Sequence, residues 1–148
     1  MLAAKRRPLG SAVSAPKVVR VVAAALYDDR GRVLIADRPP GKHMAGRWEF
    51  PGGKVAEGET FAEALARELN EELGITVHAA QPLLDLTHDY PDRRVELHMW
   101  LVKGYTGEPK NLEGQRLKWV EPARLLDEDI LEADRPFIEA LQNLPVLQ

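Results

Sequence analysis

An apolar side chain recurs at every fourth position across residues 61–73 of the chain. The four residues are Phe61, Leu65, Leu69 and Leu73. This spacing places them along one side of an α-helix that faces a core. Thr60 and Glu63 form a Thr-x-x-Glu capping box at the start, and Gly74 stands where a glycine commonly ends a helix. The pattern therefore predicts a well-bounded helix over this segment.

Shorter apolar segments, rich in β-branched residues, predict strands. These segments are residues 18–27, 33–36, 48–50, 83–87, 95–103 and 117–120. Turns are predicted at residues 28–31 and 90–93, and a loop at residues 39–45. A short helix is expected at residues 122–126 and a final helix at residues 136–144. Strands mixed with two main helices predict an α/β fold with helices packed on a sheet.

The chain has 148 residues with no internal repeat, so we expect a single domain over residues 17–148. Residues 1–16 contain Lys5, Arg6 and Arg7 but lack the hydrophobic segment of a signal peptide. We expect this segment to be a disordered tail. A weak contact of its basic residues with nucleic acid is a less favoured interpretation.

Composition excludes several classes of protein. The net charge of −3 is unlike that of a basic nucleic-acid binder. The absence of cysteine excludes a disulfide framework and a thiolate metal site. The longest apolar run, residues 21–27, is far too short to span a bilayer. We expect a cytoplasmic monomer without stable nucleic-acid binding and without a membrane segment.

Three glutamates, Glu68, Glu71 and Glu72, lie within an arc of about 100° on the predicted helix. Neighbouring like charges on a helix repel by roughly 0.2–0.5 kcal/mol per pair. Mg²⁺ or Mn²⁺ would relieve this repulsion, because hard divalent cations prefer carboxylate oxygens. Most acidic helix faces are simply solvated, and the face alone favours that interpretation. The preceding Gly52-Gly53 pair lets backbone approach a ligand closely, which favours a metal site.

The segment from Gly53 to Ile75 resembles the Nudix box. The matching residues are Gly53, Glu59, Arg67, Glu68, Leu69, Glu71, Glu72, Gly74 and Ile75. Residues 43–54, 90–93 and 107–115 are similar to the MutT-like branch of that family, the 8-oxo-dGTP diphosphatases. The resemblance extends over residues 18–143. It implies the Nudix version of the α/β fold, a mixed β-sheet sandwiched between α-helices.

The resemblance implies a metal-dependent pyrophosphohydrolase that converts a nucleoside triphosphate to a nucleoside monophosphate and pyrophosphate. It implies sanitation of oxidised nucleotides such as 8-oxo-dGTP, which prevents mutation, with Mg²⁺ as the cofactor and Mn²⁺ as a substitute. The implied metal ligands are the Gly52 carbonyl, Glu68, Glu71, Glu72 and Glu113. The general base must reach the attacking water. Glu68 is the first candidate, since Arg67 beside it can orient its neighbours, and Glu113 is a close second. Glu59 is expected to brace the loop and Arg67.

The resemblance assigns substrate binding to Arg38, Glu49, Phe50, Arg93 and Asp134. Arg38 and Arg93 are equally well interpreted as surface charges. The bacterial prototype of the branch has an asparagine where this chain has Asp134. An amide donates and accepts hydrogen bonds, whereas an ionised carboxylate only accepts. This difference makes cytidine-type or other nucleotides the alternative substrates, because cytosine offers an exocyclic amine.

Asp134 could instead cap the final helix ahead of Pro136. Trp48, Tyr90 and Trp100 are expected in the core rather than stacked on a base. A non-catalytic nucleotide-binding Nudix module is a further alternative, although the intact box argues against it. The last alternative is an acidic helix that buffers calcium and catalyses no reaction. It leaves Gly52-Gly53, Arg67 and Glu113 unexplained.

Overall fold

The structure, a computed structural model, describes residues 17–38, 41 and 45–144. The predicted tail at residues 1–16 lies outside this part of the chain, as does most of the predicted loop at residues 39–45. No helix within the described residues is both long and apolar enough to cross a membrane.

Seven strands and two α-helices form the described part of the chain. In order they are β1 (Lys17–Leu26), β2 (Val33–Asp37), β3 (Trp48–Glu49), β4 (Gly52–Lys54), α1 (Phe61–Leu73), β5 (Thr76–Asp89), β6 (Arg93–Thr106), β7 (Leu117–Val120) and α2 (Arg135–Gln142). Two short 3₁₀ segments, Pro122–Asp127 and Glu132–Asp134, connect β7 to α2. The predicted alternation of strands with two main helices is confirmed.

The strands form a mixed four-stranded sheet and a smaller antiparallel one. The larger sheet has the order β4-β1-β6-β5, in which β1 and β6 are parallel and the other pairs are antiparallel. The smaller sheet has the order β3-β2-β7. The sequence predicted a single mixed sheet between helices, and the structure adds this second sheet to that α/β arrangement.

The second half of strand β1, residues 22–26, is buried on both of its faces, which explains why this part of the sequence is continuously apolar. Val22, Ala24 and Leu26 pack in the cluster beneath α1. Ala23 and Ala25 point to the opposite face and join the cluster that includes Phe137 of α2. Because successive side chains of a strand alternate between faces, one segment supplies both halves of the core.

Helix α1 has the predicted bounds. The Thr60 side chain accepts a hydrogen bond from the Glu63 backbone N–H, and the Glu63 side chain accepts one from Thr60. Gly74 ends the helix in the left-handed region with φ of 72°. Leu65, Leu69 and Leu73 are fully buried, whereas Phe61 at the first turn is only partly buried.

Two strand predictions were incomplete. Gly52 and Gly53 suggested a loop, yet they form the short strand β4 paired with β1. Strand β5 begins at Thr76, seven residues before the predicted start at residue 83. Its first half contains Pro82 and several register shifts, features that an edge strand tolerates but that hide it in the sequence.

Candidate active site

Two glycines place strand β4 directly against its neighbours. A Cβ atom on Gly52 would lie 2.0 Å from the carbonyl oxygen of Val22 on β1. A Cβ atom on Gly53 would lie 2.3–2.5 Å from the carboxylate of Glu68. Only glycine therefore lets this backbone pack against β1 on one side and receive the Glu68 carboxylate on the other.

Arg67 connects the loop before α1 to the acidic face of the helix. Its Nε donates to Glu59 Oε2 at 2.6 Å and its Nη2 donates to Glu59 Oε1 at 3.0 Å. Its Nη1 donates to Glu68 at 3.1 Å and to Glu71 at 3.2 Å, and its Nη2 also reaches the Lys54 carbonyl. Arg67 therefore holds two of the three predicted glutamates in place, as the sequence suggested.

Glu59 braces the loop, as predicted. Its Oε1 accepts from the Ala56 backbone N–H at 2.8 Å in addition to its paired bonds from Arg67. The Arg67 hydrogen bonds, followed by that from Ala56, lower the pKa of Glu59 to about 2. Glu59 therefore stays ionised at any working pH and fixes the arginine that contacts the cluster.

Glu72 is a partly buried acidic residue of α1. Burial raises its pKa to about 9, and the hydrogen bond and charge of Glu68 and the charge of Glu113 add to this effect. A hydrogen bond from the Gly52 backbone acts in the opposite direction. Glu68, Glu72 and Glu113 therefore lie close enough for their charges to interact, beside the Gly52 backbone.

Glu71 is far more exposed than Glu68, although Arg67 Nη1 donates to both. Its side chain is 54% exposed and its ion pair is with Arg67. The four predicted acidic ligands thus fall into two sets: Glu68, Glu72 and Glu113 converge, whereas Glu71 stands at the edge near Arg67. Glu113 lies in the exposed loop between β6 and β7 and lines a cavity of about 110 Å³ together with Gly52 and Glu72.

The convergent group has the chemistry of a site for a hard divalent cation, because carboxylate and carbonyl oxygens are the ligands such ions prefer. The raised pKa of Glu72 means that, without a bound cation, a further negative charge beside Glu68 and Glu113 is unfavourable. Within residues 17–38 and 45–144, no three acidic or histidine side chains already stand in a ligating arrangement. Glu68 lies close enough to Glu72 to raise its pKa.

A second, larger cavity of about 680 Å³ lies beyond Arg38. It is lined by Arg38, Leu86, Thr87, His88, Tyr90, Arg93, Leu97, Leu131, Glu132, Ala133 and Pro136. Arg38 also lines the acidic cavity, where its Nη1 donates to Glu49 Oε1 at 2.9 Å. Arg38 therefore stands between an acidic site and a mostly apolar pocket.

Asp134 follows Ala133, which lines this pocket, but is not itself one of the lining residues. It is only 9% exposed, and its Oδ2 accepts from the Phe50 backbone N–H at 3.4 Å. Burial raises the pKa of Asp134 to about 7, and the hydrogen bond from the Phe50 backbone lowers it in part. The nearby charge of Glu49 raises this pKa further, whereas the charge of Arg38 lowers it. The carboxyl group is therefore balanced between its neutral and ionised forms near neutral pH.

The alternative role of Asp134 as a helix cap is wrong, because its side chain makes no capping hydrogen bond to α2. The core prediction holds for Trp48, which is 9% exposed, and Trp100 packs partly buried against the cluster beneath α1. It is wrong for Tyr90, which is 41% exposed and lines the pocket.

The predicted substrate residues surround the pocket and its junction with the acidic site. Arg38 and Arg93 line the pocket, Glu49 pairs with Arg38, and the Phe50 ring is buried in the core while its backbone reaches Asp134. Sequence reasoning missed the apolar lining, including Leu86, Leu97 and Leu131. Nothing local distinguishes these leucines from core residues, because the pocket forms only when three distant segments meet.

Comparisons with known proteins agree with this geometry. A model of the NUDIX domain matches residues 22–140. The chain is 36% identical over 128 residues to the 8-oxo-dGTP diphosphatase of Escherichia coli strain K12, covering 86% of this chain and 99% of that protein. It is 38% identical over 128 residues to the CTP pyrophosphohydrolase of the same organism, covering 86% and 94%. The solution structure of the E. coli ORF135 protein superimposes with a TM-score of 0.78 at 38% identity, over 92% of this chain and 94% of that one. The chain therefore belongs to the Nudix family.

Proposed function

We propose that the protein is a metal-dependent nucleoside triphosphate pyrophosphohydrolase that releases a nucleoside monophosphate and pyrophosphate. The observation that supports this proposal most strongly is that Glu68, Glu72 and Glu113 lie close together beside Gly52. Arg38 lines both this acidic site and the adjoining pocket of about 680 Å³. An acidic site beside a pocket large enough for a base suits a substrate with a polyphosphate at one end and a base at the other.

The acidic residues bind the cofactor in this proposal. A divalent cation, Mg²⁺ with Mn²⁺ as a substitute, supplies neutralisation of the phosphoryl oxygens and orientation of the attacking water. Glu68, Glu72 and Glu113 with the Gly52 carbonyl would hold it, and Glu71 would contribute from the edge. Because the ligands must be deprotonated, metal binding should release protons.

The remaining residues position the reacting groups. Arg67 holds Glu68 at 3.1 Å and is itself fixed by Glu59, so the Glu68 carboxylate is pre-oriented to accept a proton from water. Glu113 is the alternative base, since it lines the acidic cavity together with Gly52 and Glu72. Arg38 carries a positive charge between the two cavities, where the sugar and phosphates of a bound nucleotide would lie.

Oxidised purine triphosphates such as 8-oxo-dGTP are the proposed substrates, and their removal would prevent mutation. The support is the pocket lined by Tyr90 and Arg93, together with the similarity to 8-oxo-dGTP diphosphatases. Near neutral pH the Asp134 carboxyl is partly protonated and can then donate to a base carbonyl, as an amide would. We take the enzyme to act as a cytoplasmic monomer comprising one domain over residues 17–148.

A cytidine nucleotide is the second candidate substrate, and Asp134 is the observation that favours it. In its ionised form this buried carboxylate accepts a hydrogen bond but donates none, which suits the exocyclic amine of cytosine. The similarity to a CTP pyrophosphohydrolase supports the same assignment.

Steady-state turnover with Mg²⁺ over 8-oxo-dGTP, dGTP, dCTP and CTP tests both candidates. The expected products are a nucleoside monophosphate and pyrophosphate, with the highest kcat/KM for 8-oxo-dGTP. A highest kcat/KM for dCTP or CTP would favour the second candidate. Release of orthophosphate alone, or no metal-dependent turnover of any nucleotide, would overturn the proposed reaction.

A further inference from the structure

The loop that carries Glu113 is attached to the end of α1. The last carbonyls of a helix lack partners within the helix. Here the Leu73 carbonyl accepts from the Lys110 backbone N–H at 2.9 Å, and the Glu72 carbonyl accepts from the Leu112 backbone N–H at 3.2 Å. The loop therefore completes the hydrogen bonding of the helix that bears the other carboxylates.

Gln115 is the buried side chain of this loop. It is 5% exposed, although the residues on either side of it are exposed. Its Oε1 accepts from the Glu113 backbone N–H at 3.1 Å, and its Nε2 donates to the Glu72 carbonyl at 3.5 Å. One amide thus joins the backbones of two carboxylate-bearing residues.

Glu113 needs such support because its own side chain is on an exposed turn. The Gly114 backbone N–H donates to the Asn111 carbonyl at 3.0 Å, which closes the turn with Glu113 at its third position. The direction of the Glu113 side chain is set by the orientation of this turn. Gln115 fixes that orientation relative to Glu72, whose carboxyl group senses the Glu113 charge.

We infer that Gln115 is a positioning residue, whose bonds to the backbones of Glu113 and Glu72 hold the Glu113 carboxylate against the acidic cluster. It acts through Glu113. The inference rests on the pyrophosphohydrolase activity proposed above, but its effect on metal affinity can be measured without turnover. A residue needed only for folding would alter stability without changing metal affinity or kcat selectively.

Gln115→Met tests the inference, since methionine is similar in length and fills the same space without either hydrogen bond. Mn²⁺ binding to the full chain is titrated by the electron paramagnetic resonance of free Mn²⁺, and kcat and KM are measured separately. We expect weaker Mn²⁺ binding, a kcat lower by about tenfold to a hundredfold, and a KM little changed.

Gln142→Met is the matched control. It also removes a glutamine bond to a backbone carbonyl, that of Pro122 at 2.9 Å, but far from the site.

The decisive comparison is made in a Glu113→Gln background. If Gln115 acts through Glu113, adding Gln115→Met there should lower kcat by less than about twofold and leave Mn²⁺ affinity unchanged. Equal losses in both backgrounds, or a Gln115→Met protein with unaltered kcat and Mn²⁺ affinity, would overturn the inference.

Gln115→Asn serves if methionine prevents folding, because it keeps a buried amide that is one methylene too short to reach both partners, and the same losses are expected. Absence of turnover in the unmodified protein would refute the proposed function, whereas the Mn²⁺ affinities of the variants would still decide the role of Gln115.

Discussion

The acidic site and the pocket beyond Arg38 adjoin each other but are assembled in different ways. The acidic site comes largely from one continuous segment, Gly52 to Glu72, with Glu113 added by a loop hydrogen-bonded to the same helix. The pocket combines Arg38, the tip of the β5–β6 hairpin and the residues just before α2. The first depends on helix geometry, and the second depends on the packing of the whole fold.

The two regions also differ in what they can select. Phosphates and metal are common to every nucleoside triphosphate, so changes in the acidic site should affect all substrates equally. The pocket can contact only what differs between substrates, so changes there should alter their ratios. The expected effects below run from the largest to the smallest, and each could break this division.

The stability of the metal-free protein should fall as pH rises. The folded-state pKa of Glu72, about 9, lies above its ordinary value of 4.5, so the folded state binds more protons between these pH values. The contribution of Glu72 to the free energy of unfolding is therefore fully present below about pH 4.5 and is lost as pH rises towards 9. Urea unfolding in a chelator should show a flatter pH dependence for Glu72→Gln than for the unmodified protein; matching slopes would contradict a buried, crowded Glu72.

Glu72→Gln should lower kcat by about a hundredfold to a thousandfold for every nucleotide, because it removes a carboxylate from the convergent group. Glu71→Gln should have a smaller effect, about tenfold, since its exposed side chain contacts Arg67 rather than the buried cluster. Both variants should fold in the absence of metal, because glutamine resembles the neutral form that burial favours for Glu72, and the Glu71 side chain is exposed. Steady-state kinetics and thermal unfolding measure these effects. A Glu72→Gln protein that melts much lower without metal would mark the residue as structural.

Gly53→Ala should lower activity, whereas Gly58→Ala should lower stability. The new Cβ at position 53 would displace the Glu68 carboxylate, a movable side-chain end, so kcat should fall about tenfold to a hundredfold with stability nearly kept. Gly58 has φ of +85° and open space around its Cβ position, so alanine there should cost about 1–2 kcal/mol of stability and leave kcat unchanged. Equal activity of the two variants would show that the Glu68 position does not matter.

Sequence alone predicted α1, its capping box and the placement of Glu68, Glu71 and Glu72 within one arc of the helix, because these follow from helix periodicity over adjacent residues. It did not predict that Glu71 would be much more exposed than Glu68. It also predicted the bracing of Arg67 by Glu59, which the structure confirms. It did not predict strand β4, since the glycines that signal a turn are needed here for close packing against β1.

The pocket was only partly predictable. Arg38 and Arg93 were identified through family resemblance, whereas Tyr90 was wrongly placed in the core. An aromatic residue beside a turn carries no local signal of which cavity it lines. Tyr90 lines the pocket because the tip of the β5–β6 hairpin lies near Leu131 and Pro136. The side chains that surround a base depend on long-range packing that one sequence does not reveal.

Asp134 should change the choice of base rather than the rate common to all nucleotides. Asp134→Asn should favour purines with a carbonyl at the recognised edge, including 8-oxo-dGTP, and Asp134→Ala should reduce selectivity. A mismatched buried polar group costs roughly 1–3 kcal/mol, so the ratio of kcat/KM values should move by about tenfold. The measurement is kcat/KM for 8-oxo-dGTP, dGTP and dCTP. If all three fall by the same factor, Asp134 only supports the Phe50 backbone.

Tyr90→Leu should have the smallest effect and is the most direct test that the pocket holds a base. The centre of the Tyr90 ring lies 5.5 Å from the Arg93 guanidinium and 4.5 Å from the centre of the tilted His88 ring, and all three side chains line the cavity. An aromatic contact adds about 0.5–1.5 kcal/mol beyond apolar burial. We therefore expect KM to rise about threefold to tenfold, more for purine than for pyrimidine nucleotides, with kcat unchanged because the acidic site is untouched.

Tyr90→Phe is the control, since it keeps the ring and should retain the original KM. If Tyr90→Leu and the unmodified protein share the same KM for every nucleotide, the base does not contact the hairpin tip. If kcat falls instead, the hairpin affects the acidic site, and the division between the two regions is wrong.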